Sequence, residues 1–117
     1  MSNSGIGFIG LGQMGLGMAN NLAKIAAPFY AYDAMPAATD RLKGDDIIIA
    51  STLGNLAANC HLIFLCLPSA KEVNEVIFGA GGIAELAQGD LAIIDTSTID
   101  RLEAIAIHNQ LAGRGIT

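Results

Sequence analysis

The segment from residue 6 to residue 33 constrains the fold more than any other part of the chain. An apolar run, Ile6–Ile9, leads into the glycine-rich segment Gly10–Gly15, which is followed by a helical pattern, a second apolar run and then Asp33. A strand, a glycine-rich turn, a helix, a strand and an acid in this order form a dinucleotide-binding fingerprint in a βαβ unit. The segment therefore predicts an α/β fold built on a parallel sheet.

Each of the three glycines in this segment has a distinct physical role. Gly10 permits a tight turn after the strand, Gly12 lets bare backbone approach a pyrophosphate, and Gly15 lets the helix pack closely on the strand. The first amides of that helix lack intrahelical acceptors, and the helix dipole is positive at this end. Because no Lys or Arg precedes Lys24, we expect backbone amides to bind the diphosphate.

Asp33 predicts which dinucleotide binds. It follows the β-prone run Phe29–Tyr32 and lies close to the ~20-residue spacing expected for the acid that binds the adenosine ribose. A carboxylate there accepts hydrogen bonds from the ribose hydroxyls and repels a 2′-phosphate, so NAD(H) is favoured over NADP(H). The next two residues, Ala34 and Met35, offer no cation for that phosphate, although Arg41 is within conceivable reach.

Length and composition place the chain among small globular domains. Its 117 residues predict one domain, residues 1–117, with a core of its own. Hydrophobic residues make up 52% of the chain, yet no apolar run approaches the ~18 to 20 residues of a membrane span. The first four residues lack the basic start of a signal peptide, so we expect a cytoplasmic protein. A net charge of −5 with scattered basic residues argues against nucleic-acid binding.

No metal site is predicted from the cysteines and histidines. Cys60 and Cys66 lie six residues apart, and Cys66 belongs to a run typical of a buried strand. We expect both to be reduced thiols in or near the core. His61 and His108 have no mutual ligand spacing, and neither is assigned a chemical role.

Apolar runs of strand length alternate with helical patterns along the whole chain, which is typical of a parallel sheet covered on both faces. A Rossmann-type, doubly wound sheet in the order 3-2-1-4-5 follows, with the first and fourth strands adjacent at the switch point where ligands bind. The predicted strands lie near 6–10, 29–33, 47–50, 62–67 and 91–95. The predicted helices span about 13–24, 36–42, 53–59, 70–77, 83–87 and 101–112.

Local signals support these helices. Met14, Met18 and Leu22 recur every four residues, which predicts a packing stripe on the first helix. Predicted N-caps are Ser51 or Thr52 for the third helix, Ser69 for the fourth, and Asp100, in a capping box with Glu103, for the last.

Three segments together resemble the N-terminal domain of the β-hydroxyacid dehydrogenases, a family that includes 3-hydroxyisobutyrate dehydrogenase, tartronate semialdehyde reductase and the related 6-phosphogluconate dehydrogenase. The resemblance covers the whole chain and is carried by residues 7–22, 63–68 and 94–100. It implies that Leu11, Gly12, Gln13 and Met14 cover the pyrophosphate and that Asp33 binds the adenosine ribose. It also implies that Leu67 and Pro68 contact the middle of the cofactor and that Thr98 contacts the nicotinamide side.

From the residues alone, the segment after the fifth strand has two interpretations. Ser97 and Thr98 either donate to the nicotinamide and its ribose or cap the last helix, whereas Asp95 is interpreted as a structural carboxylate. The sequence departs from the family at Gly17, where many members have proline, and at Glu72, where some have an amide that touches the cofactor. We expect Glu72 to repel a diphosphate if it faces one.

The family's sixth strand and its helical domain, which carries the catalytic lysine, have no counterpart in this sequence. Lys71 lies on the wrong segment to replace that lysine, so no catalytic residue is assigned and the chain alone is expected to be inactive. The fifth strand, residues 91–95, would then be an exposed apolar edge. We expect homodimers or aggregates to form through it.

The leading hypothesis is the cofactor domain of an NAD-dependent β-hydroxyacid dehydrogenase, as a truncated gene product or a fragment. The intact enzyme would transfer hydride between the nicotinamide and a small 3-hydroxy acid. The alternative is a non-enzymatic module that binds NAD(H) as a sensor or as one subunit of a split protein. A methyltransferase that uses S-adenosylmethionine fits the first 33 residues only.

Overall fold

A computed structural model describes residues 5–25, 28–42, 46–86, 91–97 and 99–116 of the chain. Within these ranges five strands pair in parallel in the order β3-β2-β1-β4-β5. This arrangement confirms the predicted doubly wound topology. The strands are Gly5–Ile9 (β1), Phe29–Tyr32 (β2), Ile47–Ile49 (β3), Cys60–Leu65 (β4) and Ala92–Asp95 (β5).

The helices fall between the strands as expected. They are Gln13–Ala23 (α1), Leu53–Asn59 (α2), Ala70–Phe78 (α3), Ile83–Leu86 (α4) and Arg101–Ala112 (α5), together with a 3₁₀ helix at Pro36–Arg41. Most bounds agree with the prediction to within two residues, and the predicted end of the fifth helix at residue 87 lies outside the described residues. Because the Leu67 amide donates to the Ser97 hydroxyl and not to the ladder, β4 ends two residues earlier than predicted.

The two faces of the sheet carry separate cores. The larger core lies under α2, α3, α4 and α5 and includes Leu56, Ile63 and Ile77, all fully buried. The smaller core lies under α1, where the Phe8 ring stacks on Phe64 with centroids 6.2 Å apart. Successive residues of a strand point to opposite faces, so Phe8 of β1 belongs to the smaller core and the adjacent Ile9 to the larger one.

The predicted packing stripe on α1 is correct for two of its three members. Met18 and Leu22 pack against the smaller core, but the Met14 side chain is 67% exposed. The prediction that Met14 packs in the core was wrong. Met14 lies in the first turn of α1 and lines the cavity described below.

Helix capping follows the sequence at two of three positions. The Thr52 hydroxyl accepts a hydrogen bond from the Asn55 amide at 3.0 Å, and the Asp100 carboxylate accepts one from the Leu102 amide at 3.0 Å. Ser69 occupies the N-cap position of α3 but accepts no hydrogen bond from a helix amide. Its hydroxyl donates to the Glu72 carboxylate.

Both cysteines are free thiols, as expected. Cys60 is fully buried, and burial raises the pKa of its thiol to about 12. Among the described residues there is no cluster of three or more metal-ligating side chains. Within the same ranges, no helix has both the length and the apolar composition needed to cross a bilayer.

Candidate dinucleotide-binding site

A cavity of about 800 Å³ opens at the carboxyl ends of the central strands. It lies at the switch point between β1 and β4, where the chain turns to opposite faces of the sheet. Nine of the ten residues predicted for the site line this cavity, and the tenth, Thr98, lies outside the described residues. The nine are Gly10, Leu11, Gly12, Gln13, Met14, Gly15, Asp33, Leu67 and Pro68.

Local geometry requires glycine at two positions of the segment that leads from β1 into α1, Gly10 and Gly15. Gly10 has a φ of +103°, and a Cβ atom there would lie 2.1 Å from the Cys66 carbonyl oxygen. A Cβ atom on Gly15 would lie 2.0 Å from the Gly10 carbonyl oxygen. At Gly12, in contrast, a Cβ atom would meet no atom within 4 Å. The loop therefore presents bare backbone to open space at Gly12, as an approaching pyrophosphate requires.

Asp33 is held in place by two backbone amides. Its Oδ2 atom accepts a hydrogen bond from the Leu11 amide at 2.7 Å, and its Oδ1 atom accepts one from the Met35 amide at 2.8 Å. A carboxylate has about four acceptor positions, so each oxygen keeps one for a ligand hydroxyl. The side chain is thus fixed in the cavity wall in a form that is able to accept further hydrogen bonds.

Arg41 reaches the same loop from the 3₁₀ helix. Its Nη2 atom donates a hydrogen bond to the Leu11 carbonyl oxygen at 3.3 Å. Of the residues that the structure places around this cavity, Arg41 is the one Lys or Arg. Sequence reasoning considered Arg41 only as a partner for a 2′-phosphate and missed this contact, because nothing in the spacing of residues 11 and 41 indicates it.

The opposite wall is built by hydrogen bonds between β4 and the segment after β5. The Leu67 amide donates to the Ser97 hydroxyl oxygen at 2.7 Å, and the Thr96 hydroxyl donates to the Leu65 carbonyl oxygen at 2.6 Å. The Ser97 amide in turn donates to Asp95 at 2.9 Å, which agrees with a structural role for that carboxylate. Ser97 therefore positions the Leu67–Pro68 turn, while Asp100 caps α5.

Acidic side chains dominate the charge around the cavity. Asp33, Glu72 and Glu75 line it together with a single basic residue, Arg41. The hydrogen bond from the Ser69 hydroxyl holds the pKa of the Glu72 carboxyl below its ordinary value, because it stabilises the charged form. A diphosphate in this cavity has to rely on backbone amides and on the helix dipole of α1.

The sheet order, the glycine loop at the switch point and the acid at the end of β2 define a Rossmann-type dinucleotide-binding domain. Over residues 5–117 the chain matches the NAD binding domain of 6-phosphogluconate dehydrogenase. The chain belongs to this family, and it is an NAD(P)-binding domain of the type found in 3-hydroxyisobutyrate dehydrogenase-like oxidoreductases.

Three known proteins show the extent of the similarity. Mitochondrial 3-hydroxyisobutyrate dehydrogenase from Mus musculus is 38% identical over 99 residues, which cover 85% of this chain and 30% of that protein. The crystal structure of an oxidoreductase from Mycobacterium avium superposes with a TM-score of 0.82 at 28% identity, covering 95% of this chain and 39% of that one. An imine reductase from Myxococcus stipitatus in complex with NADP⁺ shares the fold, with a TM-score of 0.86 at 12% identity, over 97% of this chain and 38% of its own.

The present chain thus spans between 30% and 39% of the length of these proteins. The part it covers is the dinucleotide-binding domain, which agrees with the resemblance inferred from the sequence.

Proposed function

We propose that this chain is the cofactor-binding domain of an NAD-dependent oxidoreductase that acts on a small 3-hydroxy acid. The observation that carries the proposal is the position of Asp33 beside the glycine loop, with both carboxylate oxygens oriented by amides at 2.7 and 2.8 Å. Such a carboxylate accepts hydrogen bonds from the 2′- and 3′-hydroxyls of an adenosine ribose and disfavours a 2′-phosphate. NAD(H) is therefore the proposed cofactor.

The other lining residues fit the rest of a dinucleotide. The open backbone at Gly12 and the first amides of α1, at Gln13 and Met14, would supply hydrogen-bond donors to a pyrophosphate. Leu67 and Pro68 form the opposite wall and would contact the middle of the cofactor. Thr98, three residues after β5, is proposed for the nicotinamide side on the basis of the family resemblance.

The cofactor would supply the hydride chemistry, exchanging hydride between its nicotinamide ring and the carbinol carbon of the substrate. The described residues around the cavity bind and orient it, and they include no lysine or histidine able to move the alcohol proton. We therefore expect the chain to bind the cofactor without turning over a hydroxy acid. Dehydrogenation would require an acid/base residue from a further domain, as the family resemblance implies.

The first test is a calorimetric titration of the purified chain with NADH and with NADPH, repeated with Asp33→Ala. The wild-type chain should bind NADH at least about tenfold more tightly than NADPH, since a hydrogen bond to a charged group contributes about 1.5–3 kcal/mol. In the variant this preference should disappear. Asp40→Ala is the matched control, because it removes an exposed acid of the 3₁₀ helix that does not line the cavity.

Equal affinity of the wild-type chain for the two nucleotides would contradict the role of Asp33. A failure to bind either nucleotide would contradict the proposed function itself. A folded far-UV circular dichroism spectrum for each variant ensures that lost binding reflects the site and not an unfolded chain.

We also propose that copies of the chain associate through β5. Within the described sheet β5 pairs with β4 on one side only, and Ile94, next to Phe64 in the neighbouring strand, is 43% exposed. A strand edge with unpaired amides and an apolar face favours contact with another copy. Sedimentation velocity should show association that increases with concentration and weakens in Ile94→Lys. A monomer at high concentration would contradict the proposal.

A further inference from the structure

Leu11 has both of its backbone polar groups bound by side chains from distant segments. Its amide donates to Asp33 at 2.7 Å, and its carbonyl oxygen accepts from Arg41 at 3.3 Å. Asp33 directly follows β2, and Arg41 ends the 3₁₀ helix. The loop that carries the predicted pyrophosphate donors is therefore tied at one residue to two other parts of the fold.

These two hydrogen bonds fix two consecutive peptide planes. The Leu11 amide shares a plane with the Gly10 carbonyl, and the Leu11 carbonyl shares one with the Gly12 amide. In a trans peptide the carbonyl and the amide point in opposite directions. Binding of the Leu11 carbonyl to Arg41 thus directs the Gly12 amide away from Arg41, and it sets this orientation before any ligand arrives.

Gly12 is the residue at which such a constraint matters most. Apart from its chain neighbours, no atom lies within 4 Å of the Cβ position there. The Gly12 carbonyl accepts from the Leu16 amide at 2.7 Å, but that bond holds the peptide after Gly12 and not the peptide before it, and glycine has wide conformational freedom. An amide that is already oriented binds an anion more tightly, because the ordering cost does not fall on the binding step. The loop gains this order from side chains outside it.

From these contacts we propose that Arg41 is a positioning residue for the pyrophosphate loop: by holding the Leu11 carbonyl it orients the Gly12 peptide for a diphosphate ligand. The inference rests on the proposed function and deepens it. Arg41 acts on the loop of the ligand-free protein, and it does so for NADH and NADPH alike. This role differs from direct contact with a 2′-phosphate, which would serve NADPH alone.

Three variants test the proposal. Arg41→Ala removes the donor, and Arg41→Lys keeps a positively charged donor of nearly the same reach. Arg101→Ala is the control, since Arg101 is an exposed residue at the start of α5 that does not line the cavity. The first measurement is amide hydrogen exchange at Leu11, whose amide donates to Asp33, in the absence of nucleotide. Exchange should accelerate in Arg41→Ala and return toward the wild-type rate in Arg41→Lys.

The second measurement is calorimetric titration with adenosine, ADP, NADH and NADPH. In Arg41→Ala the dissociation constants of ADP, NADH and NADPH should rise together about five- to tenfold, the usual effect of losing one hydrogen bond of about 1 kcal/mol or slightly more. Affinity for adenosine should not change. The ratio between variant and wild type should also stay constant when salt is raised, because salt screens direct attraction between charges but not the orientation of a peptide.

Each other outcome overturns the inference. A loss confined to NADPH would assign Arg41 to the 2′-phosphate, an equal loss for adenosine would assign it to the adenine, and unchanged affinities would leave it without a role in binding. If the wild-type chain binds none of the nucleotides, the proposed function fails. Hydrogen exchange then still decides whether Arg41 orders the loop, and unchanged exchange in Arg41→Ala overturns that as well.

Discussion

Alanine at Gly15 is expected to destabilise the domain by about 3 kcal/mol, at the upper end of what an added buried methyl group costs. The new Cβ atom would lie 2.0 Å from the Gly10 carbonyl oxygen, which is a backbone atom. Gly10 has little room to move away from this overlap. It has a φ of +103°, and its own Cβ position lies 2.1 Å from the Cys66 carbonyl oxygen. The start of α1 would have to move away from β1.

The same substitution two residues later is expected to have the opposite sign. Gly17 is exposed within α1, and a Cβ atom there would meet nothing within 4 Å. Alanine in a helix interior is favoured over glycine by about 1 kcal/mol. Gly17→Ala therefore controls for helix propensity, so that the difference between the two variants reports the contact between α1 and the loop.

Urea unfolding followed by far-UV circular dichroism measures both variants. We expect a lower midpoint for Gly15→Ala and a higher midpoint for Gly17→Ala, with similar slopes. A Gly15→Ala variant as stable as the wild-type chain would show that the close approach of α1 to the glycine loop does not constrain the fold. Nucleotide titration of any folded Gly15→Ala protein would then show whether the loop still functions.

The sequence was sufficient to predict the sheet order and most of the cavity lining, because both depend on local patterns. Alternating strands and helices predict a doubly wound sheet, and the dinucleotide-binding fingerprint after the first strand favours the order 3-2-1-4-5. The spacing from Gly10 to Gly15 and on to Asp33 belongs to a single βαβ unit. Parallel strands then bring Leu67 and Pro68 to the same edge of the sheet as the glycine loop.

The contacts that were not predicted depend on tertiary distances. Arg41 meets the Leu11 carbonyl across 30 residues, and Ser97 meets the Leu67 amide across 30 residues. Neither pair has a spacing signal. Met14 shows the limit of periodicity, which identifies one face of a helix but not where along that face the core ends. At Ser69 the N-cap position was correct, but its hydroxyl donates to the Glu72 carboxylate and accepts from no helix amide.

The second large effect is expected at Leu56, on the opposite face of β1 from α1. Leu56 is fully buried in the larger core, and truncation to alanine should cost about 3–4 kcal/mol through lost burial and a residual cavity. Leu102→Ala is the matched control, because that side chain is 71% exposed on α5. Its effect should stay within about 0.5 kcal/mol. Chemical denaturation of the two variants makes the comparison, and equal losses would contradict the packing described here.

Because Gly7 has no Cβ atom, α2 is able to pack closely against β1. Substitution of Gly7 therefore tests the contact between Leu56 and β1 more strictly. A Cβ atom on Gly7 would lie 2.7 Å from Leu56 Cδ2 and 3.1 Å from Cys60 Sγ, so Gly7→Ala alone should destabilise by about 1–3 kcal/mol. In the Leu56→Ala background the first overlap is gone, and the new methyl group partly fills the cavity. The double variant should therefore be more stable than the sum of the single effects by at least about 1 kcal/mol. Additive losses would mean that Gly7 is required by something other than Leu56.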